Sequence, residues 1–196
     1  MGKQIHLRKV EELFEISPVV DFRSIEMVVK ANRRGGNYAK LLISNLIKQG
    51  KIRKVGKGFY TRHDDNSLAV FAFKPAYLGL QSALSFHGLW EQETIPVILT
   101  AKKVRRGIRV ILGANVLVRN IGRKYFFGFD FLKDGDFYLP YSDLEKTFID
   151  MVVFSMDIGK DVLRRIKKKI NKGKLAGYLK RYPENIRARA EKELGM

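Results

Sequence analysis

Residues Asn37–Arg62 read NYAKLLISNLIKQGKIRKVGKGFYTR, and this stretch decides the fold of the first part of the chain. Ala39, Leu42, Ile43, Leu46 and Ile47 recur at helical spacing, which predicts an amphipathic helix from Asn37 to Gln49 with these residues facing inward. Gly50 suits the left-handed residue that ends such a helix. Lys51–Val55 and Phe59–Arg62 then read as two strands joined by the tight turn Gly56-Lys57-Gly58. A helix that runs at once into a basic two-stranded ribbon is the pattern of a winged helix-turn-helix.

The residues upstream complete that pattern. Arg8–Glu15 predicts a short helix with Val10, Leu13 and Phe14 on one side, and Ser17-Pro18 breaks it. Val19-Val20 suits a short strand. Asp21 is placed to cap a helix through about Ala31 that buries Phe22, Ile25, Val28 and Val29. Asn32-Arg33-Arg34-Gly35-Gly36 is the turn into the next helix. On that helix Tyr38, Leu41, Ser44, Asn45 and Lys48 fall opposite the apolar face, with Lys40 at its edge.

Composition narrows the partners. The chain has 196 residues, with 38 Lys+Arg against 20 Asp+Glu, a formal charge of +18. Such an excess favours a polyanionic partner. The charge is segregated: residues 1–63 carry 14 basic and 5 acidic groups, 64–150 carry 11 and 10, and 151–196 carry 13 and 5. A near-neutral middle between two cationic ends predicts two different tasks. Cysteine is absent, which excludes disulfides, thiol nucleophiles and thiolate metal sites. No apolar signal core or run of membrane-spanning length occurs, so the expectation is a cytoplasmic protein with no membrane partner.

A boundary is expected in the polar segment His63–Ser67, giving 1–63 as the winged helix, 68–155 as a mixed α/β domain and 156–196 as a basic helical extension. Within the middle part, Pro75–Trp90 reads as a helix and Pro96–Thr100, Ile108–Leu112 and Val116–Ile121 as strands. Tyr125–Phe131 alternates aromatics with glycine and suits a strand, with Phe137–Leu139 another beyond the turn Asp134-Gly135. Ser142 is expected to cap a helix holding Leu144, Thr147, Phe148, Met151 and Val152, with Glu145 and Lys146 at a solvated start and Asp150 hydrogen-bonded within the fold. Asp161–Ile170, Leu175–Tyr182 and Glu184–Leu194 close the chain as basic helices. The fold class is therefore α+β.

The candidate binding residues are cationic or hydrogen-bonding and cluster around the helix and the ribbon. Arg33, Arg34, Asn37, Tyr38, Lys40, Ser44, Asn45 and Lys48 face a duplex if the helix enters its major groove, and Arg53, Lys54 and Lys57 lie on the wing beside it. Ser44 and Asn45 suit base edges, whereas the lysines and arginines suit phosphates. Arg164, Arg165, Lys167, Lys168 and Lys169 form a possible second basic surface. His87, with no nucleophile near it in sequence, reads as a structural hydrogen-bonding group. The chain has no HExxH, GxxxxGK[ST] or GxSxG motif and no carboxylate on the strand before Lys102 and Lys103, so catalysis, cofactor and metal are not expected. A metal-dependent nuclease and an architectural nucleic-acid-binding protein are the alternatives.

Tyr77-Leu78-Gly79-Leu80-Gln81-Ser82-Ala83-Leu84, then His87-Gly88-Leu89, resemble the start of the antitoxicity domain of the AbiEi family. So do Glu91-Gln92-Glu93 before the strand Val97–Thr100, the basic loop Lys102–Arg106, and Asp143-Leu144-Glu145-Lys146-Thr147-Phe148-Ile149-Asp150. A winged helix ending in Lys57-Gly58-Phe59-Tyr60 is similar to that family's N-terminal part, and the resemblance covers residues 8–155. It implies an antitoxin that represses a viral-defence operon. Such a protein binds inverted repeats in double-stranded DNA and antagonises a nucleotidyltransferase toxin without forming a stable complex with it. Because two-fold protein symmetry matches a palindrome, a homodimer or paired monomers on DNA is expected.

Overall fold

The protein's structure is a computed structural model that describes residues 2–30 and 36–195, with side chains over 6–29 and 37–195. The chain divides into two compact units, Met1–Ala72 with Arg109–Asn115, and Phe73–Ile108 with Val116–Met196.

Unit one contains α1 (Gly2–Ile16), β1 (Val20–Asp21), α2 (Phe22–Lys30), α3 (Gly36–Lys48), β2 (Arg53–Gly56) and β3 (Phe59–Thr61). The strands form an antiparallel three-stranded sheet in the order β1-β3-β2, which with the three helices is the winged-helix arrangement. Asp21 caps α2 as its position in sequence predicts: its Oδ1 accepts from the Ser24 amide at 2.9 Å. Gly50 (φ 69°) ends α3, with its own amide on Ile47 O and the Lys51 amide on Leu46 O. The ribbon turns through Gly58 at φ 77°, a conformation that favours glycine. Val10, Phe14, Ile25, Val29, Ala39, Ile43, Leu46 and Ile52 form the core of this unit. Ile47 does not join them. It is 40% exposed, because the buried stripe on α3 runs through Ala39, Ile43 and Leu46 and leaves Ile47 at its margin.

Unit two is built on a six-stranded mixed sheet in the order β6-β7-β5-β4-β9-β8. These are β4 (Ala76–Leu78), β5 (Val97–Thr100), β6 (Gly107–Ile111), β7 (Ala114–Asn120), β8 (Phe129–Asp134) and β9 (Phe137–Ser142). The hairpin tip between β6 and β7 is grouped with unit one. β5 runs parallel to β7 and β4 parallel to β9, whereas β4 with β5 and β8 with β9 are antiparallel. The helices are α4 (Gln81–Phe86), α5 (Leu144–Val153), α6 (Lys160–Lys169), α7 (Lys172–Leu179) and α8 (Glu184–Leu194).

The helix expected over Pro75–Trp90 is instead a strand followed by a short helix. Ala76, Tyr77 and Leu78 are all buried in the middle of the sheet, between β5 and β9. A central strand buried on both faces is uniformly apolar and carries no alternation to betray it. Leu80, at φ 53°, turns the chain from β4 into α4. The strand expected over Tyr125–Phe131 starts later, at Phe129, after a 3-10 turn over Arg123–Tyr125. The cap of α5 is Asp143 rather than Ser142. Asp143 Oδ1 accepts from the Lys146 amide at 2.7 Å, while the Ser142 hydroxyl lies 2.7 Å from that of Thr147.

The C-terminal helices share the core of unit two. Ile166, Ile170, Leu175, Leu179, Tyr182, Ala190 and Leu194 are buried in one cluster with Tyr77, Leu84, Phe148 and Met151. Glu145 Oε1 accepts from the Asn171 amide at 2.7 Å, so α5 also fixes the start of α7.

Candidate nucleic-acid interface

Helix α3 presents the face that its spacing predicts. Ala39, Ile43 and Leu46 are buried, and Asn37, Lys40, Ser44, Asn45 and Lys48 are exposed on the opposite side. Leu41 on that side is 56% exposed, an apolar contact within a polar stripe. Tyr38 departs from the expectation: it is half-buried, with its ring edge-on to His6 at 5.8 Å, and packs against the core of unit one. Arg33 and Arg34 lie outside the described residues.

On the wing, Lys54 and Lys57 are exposed. Arg53 is exposed as well, but its guanidinium pairs with Asp64, which spends part of its charge inside the unit. Phe59 and Tyr60 are half-buried, and Tyr60 stands opposite Lys54 in the ribbon. The register Arg53–Thr61, Lys54–Tyr60, Gly56–Phe59 contains a bulge at Val55. Such a bulge increases the local twist of a ribbon.

The expected second surface divides in two. Arg165 is half-buried and pairs with Glu91 at 2.5 Å, and Lys169, though exposed, donates to His87 O at 3.4 Å, so both have partners within unit two. Arg164, Lys167 and Lys168 are exposed, and Arg164 has Asp161 at 3.5 Å on its own helix. His87 is structural in this arrangement: its Nε2 donates to the Ser142 carbonyl at 2.8 Å, joining α4 to the end of β9.

The strongest electrostatic feature of unit two lies inside it. Lys146 and Asp150 are both without solvent exposure and are ion-paired one turn apart on α5. Tyr77 donates to the second carboxylate oxygen of Asp150 at 2.7 Å. The Lys146 ammonium lies 5.4 Å from the centre of the Phe127 ring, 5.5 Å from that of Tyr77 and 5.9 Å from that of Tyr182. Burial pushes the Lys146 ammonium below its usual range, with Asp150 opposing, and raises the Asp150 carboxyl, with Lys146 and Tyr77 opposing. The solvated start expected at Glu145 and Lys146 is therefore wrong. Both residues face the interior, because Phe127, Tyr182 and Asn171 from other elements close over this turn. Among the described residues, no group of three His, Asp or Glu side chains is gathered as a metal site, and no helix is long and apolar enough to cross a membrane.

No protein-family model matches the chain, and no curated protein matches it in sequence. Among solved structures, the chain is similar to the Rv2827c protein from Mycobacterium tuberculosis, with a TM-score of 0.60 at 14% identity over 99% of this chain and 76% of that one. At that identity the likeness concerns the fold, which the two proteins share across nearly the whole of this chain.

Proposed function

We propose that the chain is a sequence-specific, double-stranded-DNA-binding repressor of transcription. The observation that carries this reading is the exposed stripe Lys40, Ser44, Asn45 and Lys48 on α3, followed in the same unit by a wing with Lys54 and Lys57 exposed. Helix α3 enters the major groove, where Ser44 and Asn45 hydrogen-bond to base edges. The lysines neutralise phosphates, and the wing clamps the flanking backbone. Repression is steric. Two copies on an inverted repeat match protein two-fold symmetry to the symmetry of the site.

The AbiEi-like residues of the second unit support placing this repressor in an operon for defence against mobile elements, with a nucleotidyltransferase toxin as its antagonised partner.

A gel shift with the inverted repeats upstream of the protein's own gene, competed by bulk DNA, tests the reading. Preference for the repeat is the expected result, and equal affinity for both overturns it in favour of an architectural role. Growth rescue on co-expression with a neighbouring nucleotidyltransferase tests the toxin assignment.

A further inference from the structure

We infer that unit two carries a second nucleic-acid site, separate from the winged helix: a basic cleft that takes the backbone of a single-stranded segment. Between Glu93 and Asp130 the sequence contains eight Lys and Arg residues and no carboxylate side chain. The near-neutral average of the middle region conceals this segregation.

The sheet gathers most of these cations at one place. β5 and β7 run parallel, with Thr100 beside Asn120 at their ends, so both strands leave the sheet at the same edge. The crevice beyond the carboxyl ends of parallel strands is where open sheets bind ligands. The loop after β5 carries Lys102, Lys103, Arg105 and Arg106, and the turn after β7 carries Arg123.

That loop is tied down at several points. Thr100 Oγ1 accepts from the Lys102 amide at 3.0 Å, the Ala101 amide donates to Pro75 O at 3.1 Å, and Asn120 Nδ2 donates to Val104 O at 2.8 Å. The cations therefore project from a fixed rim, which lowers the entropy lost on binding.

Two clefts open at this edge, and Asn120 lines both. One, of about 1140 Å³, has Lys102, Lys103 and Arg123 at its rim, with Pro75, Ile121 and Phe126 as apolar lining. The other, of about 440 Å³, is lined by Arg105, Arg106, Arg119 and Phe154. The Arg119 guanidinium lies 5.1 Å from the Phe154 ring centre, and its buried Nε has no hydrogen-bond partner. Lys102, Lys103, Arg106 and Arg123 have no carboxylate partner among the described residues, whereas Arg53, Arg165 and Lys174 do.

Gathered like charges repel unless a polyanion neutralises them. The apolar lining selects the kind of polyanion. A single strand lays its phosphates on the rim and turns a base or sugar toward Phe126 and Ile121, whereas a duplex keeps its bases stacked inside and offers the cleft only phosphates.

The test is fluorescence anisotropy on the full chain, with a labelled oligo-uridylate or oligo-thymidylate of about 12 nucleotides and, separately, a duplex of the same labelled strand. Lys102→Gln with Lys103→Gln, and Arg106→Gln with Arg123→Gln, each lower single-strand affinity by about tenfold and flatten its log–log salt slope by about 1.4, while duplex affinity stays within about twofold. Lys48→Ala with Lys54→Ala gives the reverse pattern. Lys167→Gln with Lys168→Gln, of equal charge change, leaves single-strand affinity within about twofold. The proposal is overturned if the cleft variants leave single-strand binding unchanged, if they weaken the duplex equally, or if the matched-charge control falls as far as they do. Failure of the wing variants alone to weaken the duplex counts against the winged-helix reading and leaves the cleft result to be judged by its own variants.

Discussion

Lys146 and Asp150 stand one helical turn apart on α5 with no solvent exposure, and the hydroxyl of Tyr77 holds the carboxylate's other oxygen at 2.7 Å. The ion pair joins the helix to the central strand β4 through that hydroxyl. Each charge depends on the other, because neither has water to turn to.

Asp150→Asn leaves the Lys146 ammonium buried without its counter-charge. The expected cost is about 3–5 kcal/mol near neutral pH, read from urea unfolding at unchanged m. Burial already lowers the Lys146 pKa in the folded protein, and removing Asp150 removes the main opposing influence. The unfolded chain then binds more protons than the folded one between the lowered pKa and the ordinary lysine value. Stability of the variant therefore rises with pH across that window and recovers part of the loss as pH approaches about 10. A deficit that stays constant from neutral to alkaline pH contradicts the assignment.

Gly128 sits against the same pair. Its φ is 71°, and a Cβ placed there meets Lys146 Cβ at 2.9 Å and Tyr178 Cε2 at 3.0 Å. Gly128→Ala combines backbone strain with overpacking and is expected to destabilise by about 2–4 kcal/mol. Thermal unfolding of the variant checks this, and a midpoint equal to that of the parent contradicts it.

Asp143 serves three partners: the Lys146 amide at 2.7 Å, the Tyr178 hydroxyl at 2.8 Å and the Lys174 ammonium at 3.1 Å. Asp143→Ala removes the cap of α5 and a tie to α7 together. The expected loss is about 2–3 kcal/mol, measured by chemical denaturation, and Asp143→Asn restores the larger part because its side-chain oxygen still caps.

Lys48→Ala on α3 and Lys54→Ala on the wing are expected to weaken all duplex DNA alike, each flattening the log–log salt slope by about 0.9 from a starting slope near −5 for about six phosphates. Asn45→Ala is expected to cost about 1–3 kcal/mol on the preferred site and to blunt discrimination against bulk DNA. Preference that survives Asn45→Ala shows that another face of the helix reads the bases.

The winged helix was legible because each of its devices is local: the apolar stripe of α3, the Asp21 cap, Gly50 and the Gly-Lys-Gly turn. Strand β5 was legible from its run of β-formers. Strand β4 was not, since Ala-Tyr-Leu between Pro75 and Gly79 is too short and too uniformly apolar to separate strand from helix. Lys146 was misread because a charged residue in the first turn of a helix is ordinarily solvated. Its burial depends on Phe127, Tyr178 and Tyr182, whose arrival at α5 no spacing within residues 142–153 announces. The basic loop after β5 was visible as a loop. Its pairing with the turn after β7 follows only from the parallel register of the two strands.

The closing helices contribute Ile166, Ile170, Leu175, Leu179, Ala190 and Leu194 to the interior they share with α5. A frameshift or stop codon before Lys160 thus leaves a hydrophobic wall open to water, and the shortened product becomes a substrate for cellular proteases. Genetic dissection of this region calls for single-residue charge swaps, since deletion alleles will score as complete loss whatever the positive charges themselves do.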